Sequence, residues 1–215
     1  MSASFFSDLI YTVPAVLIAI VLHEWAHGYL SYRLGDPSPK EEGRLSLNPL
    51  HHLDPIGTLC LLLFHFGWAK PVQVNPYYYK DKRMGMMLTA LAGPLMNLLT
   101  AFIMIIFCVL MEKFIPFYTL YRNPILFYLF TLFMYTAIMC IGLGVFNLIP
   151  IPPLDGSKIL LSILPEDTYF AMMRYEHYGS FLLILLLACG GTAFLSPMTT
   201  SILNGMLKLV TTILL

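Results

Sequence analysis

The sequence predicts an all-α polytopic membrane protein with about five to six transmembrane helices and a re-entrant or short β-hairpin element between the first two apolar segments. Three observations predict it. The 215-residue chain is 58% hydrophobic and 11% charged, against roughly 25% charged for an average soluble domain. Its apolar residues fall in long blocks, as spanning helices of ~20 residues require. Its charges are unevenly placed, while the formal net charge is zero, so no basic patch points to nucleic acid.

The elements follow in order. Residues 9–31 form the first apolar block, long enough to cross ~30 Å of hydrocarbon. No Lys or Arg precedes Arg33 and no small-residue cleavage pattern follows, so this block is expected to be retained as a span. Residues 32–55 are polar, and Gly43-Arg44-Leu45-Ser46-Leu47 alternates weakly, as a short strand or hairpin would. Residues 56–68 are apolar, but such a helix rises only about 20 Å, which suits a re-entrant or half-helix. A second polar loop runs to Arg83. Residues 85–111 and 124–149 are strong spans, the latter ending in a break at Pro150, Pro152 and Pro153. Residues 178–195 and 199–215 read as two closing spans with a tight turn at Ser196-Pro197. No repeat or low-complexity tract is visible, so 1–215 reads as a single membrane-embedded domain. The four cysteines, Cys60, Cys108, Cys140 and Cys189, lie in apolar runs without a CxxC pair. They read as small core or lipid-facing residues, not a disulfide framework.

Charge asymmetry sets the expected orientation. Arg33, Lys40, Arg44, Lys70, Lys80, Lys82 and Arg83 all fall in 32–83, whereas 112–123 carries only Lys113 and Arg122. By the positive-inside rule 32–83 is cytoplasmic. Two further crossings return 155–175 to the same side. Asp155 is thereby expected near the end of the first span, where His23 and His27 lie.

That span carries His23-Glu24-Trp25-Ala26-His27, an HExxH pattern. Residues i and i+4 share a helix face, so both imidazoles can reach one metal ion. Glu24 beside them can take a proton from a water on that metal. Ionisable groups inside an apolar span are costly, by ~2.5 kcal/mol or more for charged types, and a metal is the simplest compensation. Catalytic zinc usually takes three protein ligands. The candidates for the third are His51, His52, Asp54, His65, Asp155 and His177. Asp155 is the best of them, because it follows a broken span and Gly156 permits a tight turn. The ordinary reading of Asp155 is a helix N-cap, and that of Asp54-Pro55 a turn or helix start.

These residues resemble the site-2 protease family of intramembrane zinc metalloproteases. The resemblance rests on HEWAH at 23–27, Asn48-Pro49 with His52, and Asp54-Pro55 with Gly57. It continues through Gly67-Trp68-Ala69-Lys70-Pro71-Val72, Ala92-Gly93-Pro94 with Asn97, and Asn147-Leu148-Ile149-Pro150 leading to Leu154-Asp155-Gly156. The short length and the 67–72 segment look like the compact bacterial branch without a PDZ domain. The resemblance implies that His23, His27 and Asp155 bind one zinc ion, with Glu24 as general base. It further implies that Asn147 positions substrate or steadies the oxyanion; its ordinary reading is a helix C-cap. Ser157 departs from the second Gly common in the family. His52 is either a residue lining the site or a satisfied surface histidine, and Asn97 reads as interhelical glue. Trp68 and Tyr77-Tyr78-Tyr79 read as an interfacial aromatic belt, and the thirteen methionines as packing.

The reaction so implied is hydrolysis of a peptide bond in or near the transmembrane helix of a membrane-protein substrate. The expected location is the cell membrane, with the site near the cytoplasmic side. A locally unwound substrate could pair with an edge strand near 43–47. Two rival readings are a metal-ion transporter and a catalytically silent scaffold. A transporter would spread polar residues over several spans and often shows repeats, and a scaffold has no need of Glu24 beside two ligands.

Overall fold

The computed structural model describes residues 3–57, 60, 69–165, 168, 176–188, 190 and 193–214. Among the described residues the regular elements are helical. In chain order they are α1 (Ala3–Arg33), α2 (Ser38–Glu41), α3 (Lys82–Phe114), α4 (Phe117–Arg122), α5 (Pro124–Asn147), α6 (Asp155–Leu161), α7 (Glu176–Ala188) and α8 (Leu195–Leu214). Two short 3-10 turns lie at Pro49–His51 and Pro76–Tyr78.

Local chemistry sets the helix ends. α1 closes in a Schellman motif: the Asp36 N–H donates to the Ser31 carbonyl and the Gly35 N–H to that of Tyr32. Gly35 supplies the positive φ of 109°. α3 begins where Asp81 Oδ1 accepts from the Met84 N–H at 2.9 Å. α5 begins where Asn123 Oδ1 caps the amides of Ile125 and Leu126, with Pro124 in the first helical position. These caps extend the first two spans beyond their apolar blocks.

Three segments among the described residues are long and apolar enough to cross a membrane: Leu9–Arg33, Lys82–Phe114 and Pro124–Asn147. The expected span 178–195 is not one helix. α7 stops at Ala188 and Gly190 turns the chain with φ 72°. The expected turn at Ser196-Pro197 lies instead in the first turn of α8. Proline is at home there, because its missing N–H would have no helical partner anyway.

The expected strand at 43–47 is also absent, and the only β-type pairing among the described residues is an isolated bridge between Leu53 and Ala69. Arg44 is the physical reason. It is buried, and its guanidinium donates to the carbonyls of His51, Lys70 and Pro71, so this loop is held by one side chain rather than a ladder. Most of 56–68, expected to re-enter, lies outside the described residues.

The chain divides into two compact units. One comprises Met1–Ala19, Asn97–Val145 and Thr192–Leu215. Its core gathers Ala19, Ala101, Ile105, Val109, Ala137, Cys140, Ile141, Val145 and Val210. Cys108 and Cys140 are buried free thiols, as their apolar setting predicts. The other unit comprises Ile20–Met96 and Phe146–Gly191. It has a smaller apolar cluster, built on Tyr79, Met86 and Leu161, and more buried polar groups.

Candidate metal centre

His23 and His27 stand one turn apart on α1, and Ser31 continues the same face a turn later. The two Nε2 atoms are 3.0 Å apart. Asp155, the first residue of α6, brings Oδ2 to 3.1 Å from His23 Nε2 and 3.2 Å from His27 Nε2. All three residues are buried. Leu154, not Asp155, occupies the N-cap of α6, so the carboxylate is free to face the imidazoles. Gly156 makes that approach feasible: a Cβ there would lie 2.2 Å from the Leu148 carbonyl oxygen.

The donor set fits a metal ion. His27 Nδ1 lies 2.6 Å from the Thr89 carbonyl. A carbonyl only accepts, so Nδ1 carries the proton and neutral Nε2 presents a lone pair. With His23 Nε2, the His27 Nε2 lone pair and the Asp155 carboxylate oxygen form a nearly equilateral triangle. Two ligands each ~2.0–2.1 Å from a tetrahedral zinc ion stand about 3.3 Å apart, close to these edges. Gly93 on α3 leaves the space the rings occupy, since a Cβ there would lie 2.4 Å from His27 Nε2 and 2.6 Å from His23 Cε1.

Glu24 lies beside the triangle, and its Oε2 accepts from the Val72 N–H at 2.9 Å. His23, Glu24, His27 and Asp155 line one cleft of about 130 Å³, together with Val72, Val74, Asn147 and Lys158. Asn147 reaches it from the last residue of α5. Pro71 and Gln73 are exposed while Val72 and Val74 are half-buried, and Pro71, Val72 and Val74 line the cleft.

Behind His27 runs a buried polar chain. Ser31 Oγ donates to Asp36 Oδ2 at 2.8 Å. Its proton being so used, the Tyr79 hydroxyl donates to Ser31 Oγ at 2.7 Å, and Thr89 Oγ1 donates to the Tyr79 hydroxyl at 3.3 Å. The main-chain carbonyl of that same Thr89 holds His27. Burial opposes the Asp36 charge, yet the amides of Asn75 and Ser38 and the Ser31 hydroxyl outweigh it and hold the carboxyl below its ordinary range. Burial pushes the Tyr79 phenol up.

Of the six residues considered beside His23 and His27, the fold brings Asp155 to them. Asp54 accepts the Gly57 N–H, in keeping with its helix-start reading. His51 Nδ1 meets the Gly43 carbonyl. His52 is fully buried with Nε2 donating to the Ser46 carbonyl at 2.7 Å, so it is not a surface histidine. His65 and the His177 side chain fall outside the described residues, as does Trp68. Asn97 is fully buried. Tyr77 and Tyr78 are exposed, but Tyr79 departs from the aromatic-belt reading because its hydroxyl is bonded inside. Gly93 and Val72 stand in motifs noted above without a site role, and Thr89, Ser31 and Asp36 carried no signal of their own. One shared signal was available, since His23, His27 and Ser31 recur every four residues and make a polar stripe on an apolar helix.

Residues 11–188 match the model of peptidase family M50. The chain is 36% identical over 204 residues to "Putative zinc metalloprotease YwhC" of Bacillus subtilis, covering 94% of this chain and 92% of that protein. It is 27% identical over 190 residues to "Putative zinc metalloprotease Rip2" of Mycolicibacterium smegmatis, covering 86% and 69%. For the Mycobacterium tuberculosis protein of the same name the identity is 29% over 186 residues, covering 83% and 67%. No solved structure matches.

Proposed function

The chain belongs to peptidase family M50, the site-2 proteases, and from that premise we propose that His23, His27 and Asp155 hold its zinc ion and that Glu24 is its general base. The protein is an intramembrane zinc metalloprotease. The observation that carries the residue assignment is the triangle of two Nε2 atoms and one Oδ2, with edges of 3.0–3.2 Å, in one cleft with Glu24.

When bound, zinc lowers the pKa of a water it coordinates toward ~7 and polarises the scissile carbonyl. The protein's own groups do the rest. The Val72 N–H occupies Glu24 Oε2, leaving Oε1 to take the proton of the attacking water. Glu24 then returns that proton to the leaving amine. The Asn147 side-chain amide donates to the developing oxyanion. Thr89, through its carbonyl, keeps His27 in the Nδ1–H tautomer.

The substrate is a transmembrane helix unwound near its cytoplasmic end, lying extended along 71–74 instead of the expected 43–47. Support for that docking is that Pro71, Val72 and Val74 line the cleft, whereas none of 43–47 does. The crowding of Lys and Arg into 32–83 supports a cell-membrane protein with this site near the cytoplasmic side. Five to six crossings, with 56–68 re-entering, complete a single domain over 1–215.

The test compares purified wild type with Glu24→Gln. The variant is expected to keep one zinc per chain and to lose at least ~100-fold in cleavage of a single-helix membrane reporter. Equal cleavage by both proteins would refute the proposed base.

A further inference from the structure

We propose that Arg44 is a positioning residue for Glu24, acting through the single peptide group between Pro71 and Val72. The inference rests on the reading of Glu24 as general base. Arg44 is only 3% exposed, yet the carboxylate beside it, Glu42, lies 3.8 Å away and faces solvent. A guanidinium buried that deeply needs its donors satisfied. They go to main-chain carbonyls: Nη1 donates to His51 and, at 3.4 Å, to Lys70, while Nη2 donates to Pro71 at 3.3 Å.

The Pro71 carbonyl and the Val72 N–H are two ends of one peptide group. The N–H end donates to Glu24 Oε2 at 2.9 Å. A cation therefore holds the oxygen of this peptide and a carboxylate holds its hydrogen. Linked hydrogen bonds polarise one another, strengthening each by roughly 10–30%. The segment is pinned again on either side, where the Lys70 N–H donates to His52 and the Asn75 N–H to Asp36. The Val72 N–H thus has one place to point, and Glu24 Oε2 is committed to it. A lysine at 44 retains the charge but lacks the planar fork that serves several carbonyls.

The experiment uses the full chain in detergent as Arg44→Gln and Arg44→Lys, with wild type and Glu24→Gln as references. Bound zinc is counted. Turnover is followed on a fluorophore-quencher peptide containing one transmembrane helix. Amide exchange is read over residues 70–75. In Arg44→Gln zinc is expected at the wild-type level, kcat at least tenfold lower, KM within about twofold, and exchange at Val72 faster. Arg44→Lys is expected to recover part of kcat. Unchanged kcat, zinc lost in step with activity, or a rise in KM at constant kcat overturns the proposal. A wild type that cleaves nothing sinks the protease reading alone. The exchange data still decide the coupling then: unchanged protection of Val72 in zinc-loaded Arg44→Gln overturns it.

Discussion

Gly93 stands against the ring of His27 so closely that a Cβ on it would lie 2.4 Å from Nε2. In an ordinary helix, alanine would be preferred to glycine by roughly 0.5–1 kcal/mol. Here the missing side chain is the space in which the imidazole sits. Gly93→Ala is therefore expected to weaken zinc binding at least about tenfold. Titration with a competing chelator measures it; unchanged affinity would show that the rings can retreat.

Asp155 and Asp54 were both candidates for completing the His23–His27 pair, and they separate cleanly by experiment. Asp155→Asn is expected to cost at least ~100-fold in zinc affinity, as loss of a ligand exceeds loss of an outer-shell partner. Asp54 instead accepts the Gly57 amide, so the zinc content of Asp54→Ala should match wild type.

Ser157 stands where the family often has a second glycine. Its hydroxyl donates to the Leu154 carbonyl at 2.7 Å, away from the metal cluster. Ser157→Gly is expected to keep zinc and to keep turnover within about twofold, with up to ~1 kcal/mol lost in stability. Thermal unfolding in detergent, alongside zinc analysis, checks both halves.

Asp36 makes stability depend on pH in a known direction. Its folded carboxyl sits below the unfolded value of 3.8. Its contribution is therefore fully present above that pH and is lost as pH falls through the folded value. Unfolding of wild type and Asp36→Asn should differ most above about pH 4 and converge in stronger acid. A gap that widened on acidification would contradict the assignment.

Much of this molecule is legible in sequence because the signals are local. Hydropathy located the three strong spans, and i, i+4 spacing placed His23 and His27 on one face. Span ends were misjudged where capping decided them, at the Gly35 closure of the first span and at Asp81 before the second. Alternation at 43–47 looked like a strand because hydropathy cannot see that the Arg44 guanidinium turns inward. Tyr79 looked interfacial beside two exposed tyrosines, but burial chose it to bridge Ser31 and Thr89. Pro197 looked like a turn and opens a helix instead.

By itself the sequence determined the solvent, the helix-bearing blocks and two-thirds of the metal cluster, with Glu24 beside it. These depend on residue chemistry and helical period alone. Tertiary structure decided the rest: Asp155 rather than His51, His52 or Asp54 beside the histidine pair, Gly93 as the space for the rings, and the Val72 amide on Glu24. Each is a contact between residues tens to more than a hundred positions apart. No local pattern encodes such a contact, because coordination and close packing depend on distances that exist only after the chain has turned back on itself.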